Sequence, residues 1–183
     1  MGTGNILSNM LLSGGSRVFE TKETIEFVGF FHHAKGVHIN GIREDSVNLK
    51  LVLQLVKGAL EGEKGEIDGF IYEEYTDMVK QLKSLCQEFF LNSSDLRFLE
   101  NRQHLITFPS LHCFNSIQFL IRNYKVFTIV SMRSCDIVNK FEKDFILSAF
   151  CGSEIADSIK SKSVDVIFQI GSFHAYKKDL DKP

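Results

Sequence analysis

Tryptophan is absent from the 183 residues, and proline occurs only at positions 109 and 183. Without Trp, the 17 Phe residues must supply most of the aromatic core volume. No uninterrupted apolar run reaches the roughly 18 residues a spanning helix needs. "MGTGNILSNMLLSGG" lacks the basic start and sustained apolar centre of a secretory signal, so a cytoplasmic location and no membrane partner are expected. Charge of one sign is also missing. Lys and Arg total 21 against 23 Asp and Glu, a net charge of -2, which removes any general attraction to nucleic acid. The four cysteines, Cys86, Cys113, Cys135 and Cys151, show no CxxC spacing, so free thiols in a reducing compartment are expected. His32, His33 and His38 have no Cys or acidic set at ligand spacing, so no metal is expected and they read as solvated loop histidines. "GTG" and "SGG" lack the lysine ending of a phosphate loop.

What is present suits one globular domain over residues 1–183, with the Gly- and Ser-rich first 16 residues expected to be partly mobile. "SRVFETKETIEFVGFF" predicts one or two strands, and "HHAKGVHINGIRED" a loop. In "SVNLKLVLQLVKGAL" a strand-like alternation of Leu49, Leu51, Leu53 and Leu55 competes with helical spacing of Leu49, Val52, Val56 and Leu60; length favours a helix. "EEYTDMVKQLKSLCQEFF" places Tyr75, Met78, Leu82, Leu85 and Phe89 on one helical stripe, with acids in the first turn. "HLITF" predicts a strand, and "SIQFLI" and "VFTIVSM" a hairpin turning at "RNYK". "NKFEKDFILSAFCG" predicts a helix ending at Gly152, and "SVDVIFQIG" a last strand. The fold class is therefore α+β, a mixed sheet with helices on one face.

The hairpin is polar at its ends. Cys113 precedes its first strand, and a Cys there is more often a small buried hydrophobe than a nucleophile. Arg133, Ser134 and Asp136 end its second strand, where a guanidinium fork and a hydroxyl could hold a phosphate. The plainer alternative is a strand end turning into solvent. His112 sits beside Cys113, but adjacent strand residues point to opposite faces, which disfavours a Cys-His pair.

The ordered set from about residue 102 to 176 adds a resemblance. Cys113, Gln118 and Phe119, then Arg133-Ser134-Cys135-Asp136 twenty residues after the Cys, then Asp144, then "GSFHAY" with His174 and Tyr176, recur at fixed intervals. They resemble the core signature of the thymidylate synthase and pyrimidine-nucleotide hydroxymethylase family. "QFLIRNYKVFTIVSMRSCD" is similar to its phage-type deoxycytidylate hydroxymethylases.

This resemblance implies a thymidylate synthase-like twisted sheet and a homodimer pairing through it. It implies that Cys113 adds to C6 of a pyrimidine nucleoside monophosphate, so that C5 attacks a one-carbon unit carried by 5,10-methylenetetrahydrofolate. Arg133 and Ser134 would hold the 5′-phosphate, with Arg102 reaching the phosphate of the other subunit and Arg17 a further contact. Gln118 would order the site, the surroundings of Asp136 would line the base and folate pocket, and His174 and Tyr176 would bond the sugar hydroxyl. Asp144 resembles the cytosine branch, because a carboxyl accepts from the exocyclic amino group and, when protonated, donates to N3. The alternative places Asp144 on a solvated helix face. Departures from the family pattern include no acid in "VNLKLVLQLVKG" and no Trp for the folate side. Three readings stay open: a cytosine-nucleotide hydroxymethylase, an enzyme doing other chemistry on a pyrimidine nucleotide, and a nucleotide-binding protein on the same scaffold.

Overall fold

The computed structural model describes residues 17–42, 46–108 and 113–180. The expectations for residues 1–16 and His112 fall outside these. The strands are β1 (Arg17–Glu20), β2 (Thr24–Ala34), β3 (Glu66–Ile67), β4 (Phe70–Ile71), β5 (Leu105–Thr107), β6 (Phe114–Arg122), β7 (Lys125–Asp136) and β8 (Val164–Tyr176). The helices are α1 (Val47–Glu61), α2 (Tyr72–Leu91), α3 (Leu96–Leu99), α4 (Phe141–Ser158) and α5 (Lys177–Leu180), with a 3-10 turn at Ile39–Gly41. Six strands form one sheet in the order β1-β2-β8-β7-β6-β5, and β3-β4 is a separate ribbon. Only β7 and β8 run parallel within the sheet, joined through α4. The fold is thus α+β with a mixed sheet, as expected from the sequence.

Helical spacing wins in α1. Leu49, Val52, Leu55, Val56 and Ala59 are buried while Leu53 is exposed, and the Ser46 hydroxyl caps the first turn by accepting from Leu49 N at 3.3 Å. The stripe on α2 buries Tyr75, Met78, Val79, Leu82 and Phe89. The β6-β7 hairpin turns at Asn123 and Tyr124, both at positive φ, which is the two-residue turn whose twist suits flanking strands.

Two expectations need correction. Gly152 does not end its helix. It lies inside α4, which runs on to Ser158, and a Cβ there would overlap Thr128 Oγ1 and lie 2.8 Å from Val164. The glycine serves close approach of helix to sheet rather than a cap. His32 and His33 are not in a loop. β2 continues through Ala34, because Asp165 on the neighbouring β8 accepts from His33 and from Gly36 N.

Inward-facing residues normally recur every second position in a strand. Along β7 they run Val126, Thr128, Val130, Met132 and then Cys135; along β8 they run from Val164 by twos to Ile170 and then Phe173; along β2, Phe27 is followed by Phe30. The three-residue steps lie at one level, around Gly29 and Gly171, and the β6-β7 register shifts between Phe114 and Ser116. Gly29, at φ 73, takes a backbone conformation that side-chain-bearing residues rarely adopt. This shared bulge separates one end of the sheet from the rest. Cys113, Arg133, Ser134 and Cys135 all sit beyond or on it.

Candidate functional site

The hairpin closes its own ends. Arg133 N donates to Cys113 O at 2.8 Å, and the Ser134 hydroxyl lies 3.7 Å from Cys113 Sγ. Cys113 is half-buried, while the Arg133 side chain reaches the surface. The bulge then turns Cys135 inward, where its thiol donates to Asp144 Oδ2 at 3.4 Å. Asp144 sits in the first turn of α4 and is only 3% exposed, which removes the solvated-face alternative.

Burial pushes the Asp144 carboxyl up to about 7, against the pull of the Cys135 thiol and of Lys140 and Lys143. Burial also raises the Cys135 thiol far above its ordinary value, and the charges of Asp144, Cys113 and Asp136 add to this. The Tyr75 phenol is raised by burial first, then by Asp144, Glu74 and Cys113. Tyr75, Cys113, Cys135 and Asp144 therefore form one electrostatic cluster between α2, α4 and the bulged sheet end. A carboxyl half-ionised near neutral pH can donate or accept a proton there. Sequence reasoning gave Tyr75 only as a core stripe residue. Its polar end carries no period that would single it out. Above the cluster, Lys143 Nζ pairs with Asp68 Oδ2 at 2.5 Å and lies 5.9 Å from the Phe70 ring centre, fastening the β3-β4 ribbon to α4.

The other expected site residues divide into two groups. His174 faces Asp136 across the β7-β8 ladder, and its ring meets Tyr176 edge-on at 5.3 Å, so both lie at the bulged end. The Asp136 carboxylate is engaged in a turn, accepting from Val138 N at 3.0 Å, Asn139 N at 3.2 Å and Asn139 Nδ2 at 2.8 Å. Gln118 and Arg102 lie elsewhere. Gln118 Nε2 donates to Arg102 O at 2.7 Å, five residues along β6 from Cys113, roughly 16 Å of strand. Arg17 is level with Ser134 but three strands away, roughly 14 Å. Among the described residues no three His, Cys, Asp or Glu gather at metal-binding spacing; His33 and His38 instead face Asp165 and Asp157. A depression of about 440 Å³ lies on the sheet face away from α4, lined by Gly29, Phe31, Ser131, Gln169 and Gly171 among others, and contains neither Cys113 nor Asp144. Among the described residues no helix is long and apolar enough to cross a membrane.

No family model matches the chain. A stretch of 73 residues is 29% identical to the deoxycytidylate 5-hydroxymethyltransferases of Enterobacteria phages T4, T2 and T6. It covers 36% of this chain and 30% of each relative's length. The relationship is distant. It supports at most a distant link to the thymidylate synthase-like family.

Proposed function

We propose that the chain binds a cytosine nucleoside monophosphate at the bulged sheet end and activates C5 of its base for hydroxymethyl transfer, on a thymidylate synthase-like scaffold. The observation that carries this reading is Asp144: a buried carboxyl raised to about 7 that accepts from Cys135, the chain neighbour of Ser134, whose hydroxyl lies 3.7 Å from Cys113 Sγ. A protonated carboxyl offers a donor to N3 and an acceptor to the exocyclic amino group, the pattern that selects cytosine over uracil.

In this reading Cys113, its proton given up to solvent, bonds through sulfur to C6, and the π pair of the C5–C6 double bond moves to C5, which becomes the nucleophile. Ser134 steadies the sulfur, and Arg133 and Ser134 hold the phosphate. His174 and Tyr176 take the sugar, and Asp144 reads the base and shares its proton. Bound 5,10-methylenetetrahydrofolate would supply the one-carbon unit. The depression of about 440 Å³ lies away from Cys113 and Asp144 and so does not fit the place of that cofactor beside the thiol.

The face of the sheet opposite α4 carries exposed Phe31 and half-buried Phe127, Ile129 and Ile167, and through it two copies would pair, bringing Arg102 of each toward the other. A second reading, nucleotide binding without folate chemistry, is favoured by one observation. Every buried residue of α1 is apolar or glycine, so α1 buries no acid that could move protons at the base.

The test is hydrogen exchange at C5 of dCMP in deuterated water, followed by NMR. Thiolate addition at C6 makes that hydrogen exchangeable. Exchange by the wild-type chain and none by Cys113→Ser supports the reading; equal background exchange in both contradicts it.

A further inference from the structure

We propose that Cys135 is a positioning residue for Asp144: its thiol donates to Oδ2, so that Oδ2 stays an acceptor and the acid proton, when present, sits on Oδ1. The geometry is direct. The two side chains meet at 3.4 Å, Cys135 is 2% exposed, and Asp144 is 3% exposed. A carboxylic acid that reads cytosine must present its donor and acceptor in the right order, and a free carboxyl can present them either way round. A fixed donor behind one oxygen removes that ambiguity, as a backing group fixes the tautomer of a catalytic histidine. Oδ2 has a second lone pair for the exocyclic amino group while it accepts from sulfur.

Among the described residues several groups face Asp144, and the Cys135 thiol donates to it directly. From its own helix Lys140 and Lys143 act through charge, and Lys143 is turned to Asp68 on the ribbon. From α2 the buried Tyr75 phenol feels Asp144, Glu74 and Cys113. From β7, Cys135 itself feels Cys113 and Asp136. The bulge in β7 is what aims sulfur at the carboxyl, since unbroken alternation from Met132 would turn residue 135 outward.

The role in base selection rests on the cytosine reading, so the test has two arms. In the first, the infrared S–H stretch of the ligand-free chain is followed from about pH 5 to about pH 9, the range that brackets Asp144. The Cys135 band is assigned by difference from Cys135→Ala. It is expected to move as Asp144 ionises and to stay fixed in Asp144→Asn. In the second, dCMP and dUMP affinities are measured against pH. Cys135→Ala is expected to raise the pH midpoint of dCMP binding by about one unit and to erode the preference for dCMP. Cys135→Ser, which keeps a donor, is expected to hold the preference and not raise the midpoint. A pH-insensitive S–H band overturns the proposal, and so do equal midpoints in the Ala and Ser variants. A responsive band with no nucleotide bound by any form upholds the thiol–carboxyl pairing and overturns the cytosine reading instead. The ligand-free band also decides the matter if Cys135→Ala fails to fold, because Asp144→Asn and Cys135→Ser supply the same contrast.

Discussion

Asp144 on α4 and Asp165 on β8 are both buried, and the chain treats them in opposite ways. Asp165, 1% exposed, starts β8 and is surrounded by donors: Lys125 Nζ at 2.9 Å, His33 Nε2 at 2.8 Å and Gly36 N at 2.9 Å. Burial works to raise its carboxyl, but these partners outweigh it and hold it below the ordinary range. Asp144, 3% exposed, has a thiol at 3.4 Å as its near donor, and burial wins. One carboxylate is a charged clip tying β2, β7 and β8 together. The other is stored in a state that costs stability when ionised, which is how a group kept for chemistry differs from one kept for structure.

The largest expected effect is the pH dependence of that contrast. A carboxyl raised in the fold from 3.8 to about 7 stabilises the protein fully below about pH 4, and that contribution is lost as pH rises to about 7, up to about 4 kcal/mol. Asp144→Asn should flatten this window in urea titrations and be the more stable form at pH 8. Asp165 has the opposite sign. Its lowered value contributes stability above the unfolded range near pH 4, lost on further acidification. Asp165→Asn should cost about 2–3 kcal/mol at pH 7 by the same titrations, less than a fully buried pair because Lys125 and His33 are about a third exposed. Gly152→Ala should cost about 1–3 kcal/mol by forcing α4 off Thr128 and Val164, read as a lower Tm. The smallest effect is Lys143→Gln: up to about 1 kcal/mol from the pair with the exposed Asp68, and an Asp144 carboxyl shifted further up in a pH titration of its NMR signal.

Much of this was legible in the sequence because it is local. The stripe on α2, the Asn123-Tyr124 turn and the alternation of β7 are written in neighbouring residues. The intervals linking Cys113, Arg133, Asp144 and His174 were legible too, and the fold sets Cys113, Arg133 and Asp144 at one end of the sheet. What was hidden depends on contacts between distant segments. Gly152 looks like a helix stop until Thr128 is seen beneath it. His33 reads as loop because the carboxylate that holds it is 132 residues away. Cys135 carried no role of its own in the sequence, since the bulge that turns it inward is shared by several strands and is set by none alone.

The measurement that tests the central claim most directly is calorimetric titration of wild-type chain and Asp144→Asn with dCMP and dUMP near pH 6.5. The account predicts that the wild type binds dCMP in preference to dUMP and that Asp144→Asn loses or reverses that preference. Failure of both nucleotides to bind the wild type, or a preference unchanged in Asp144→Asn, would contradict it.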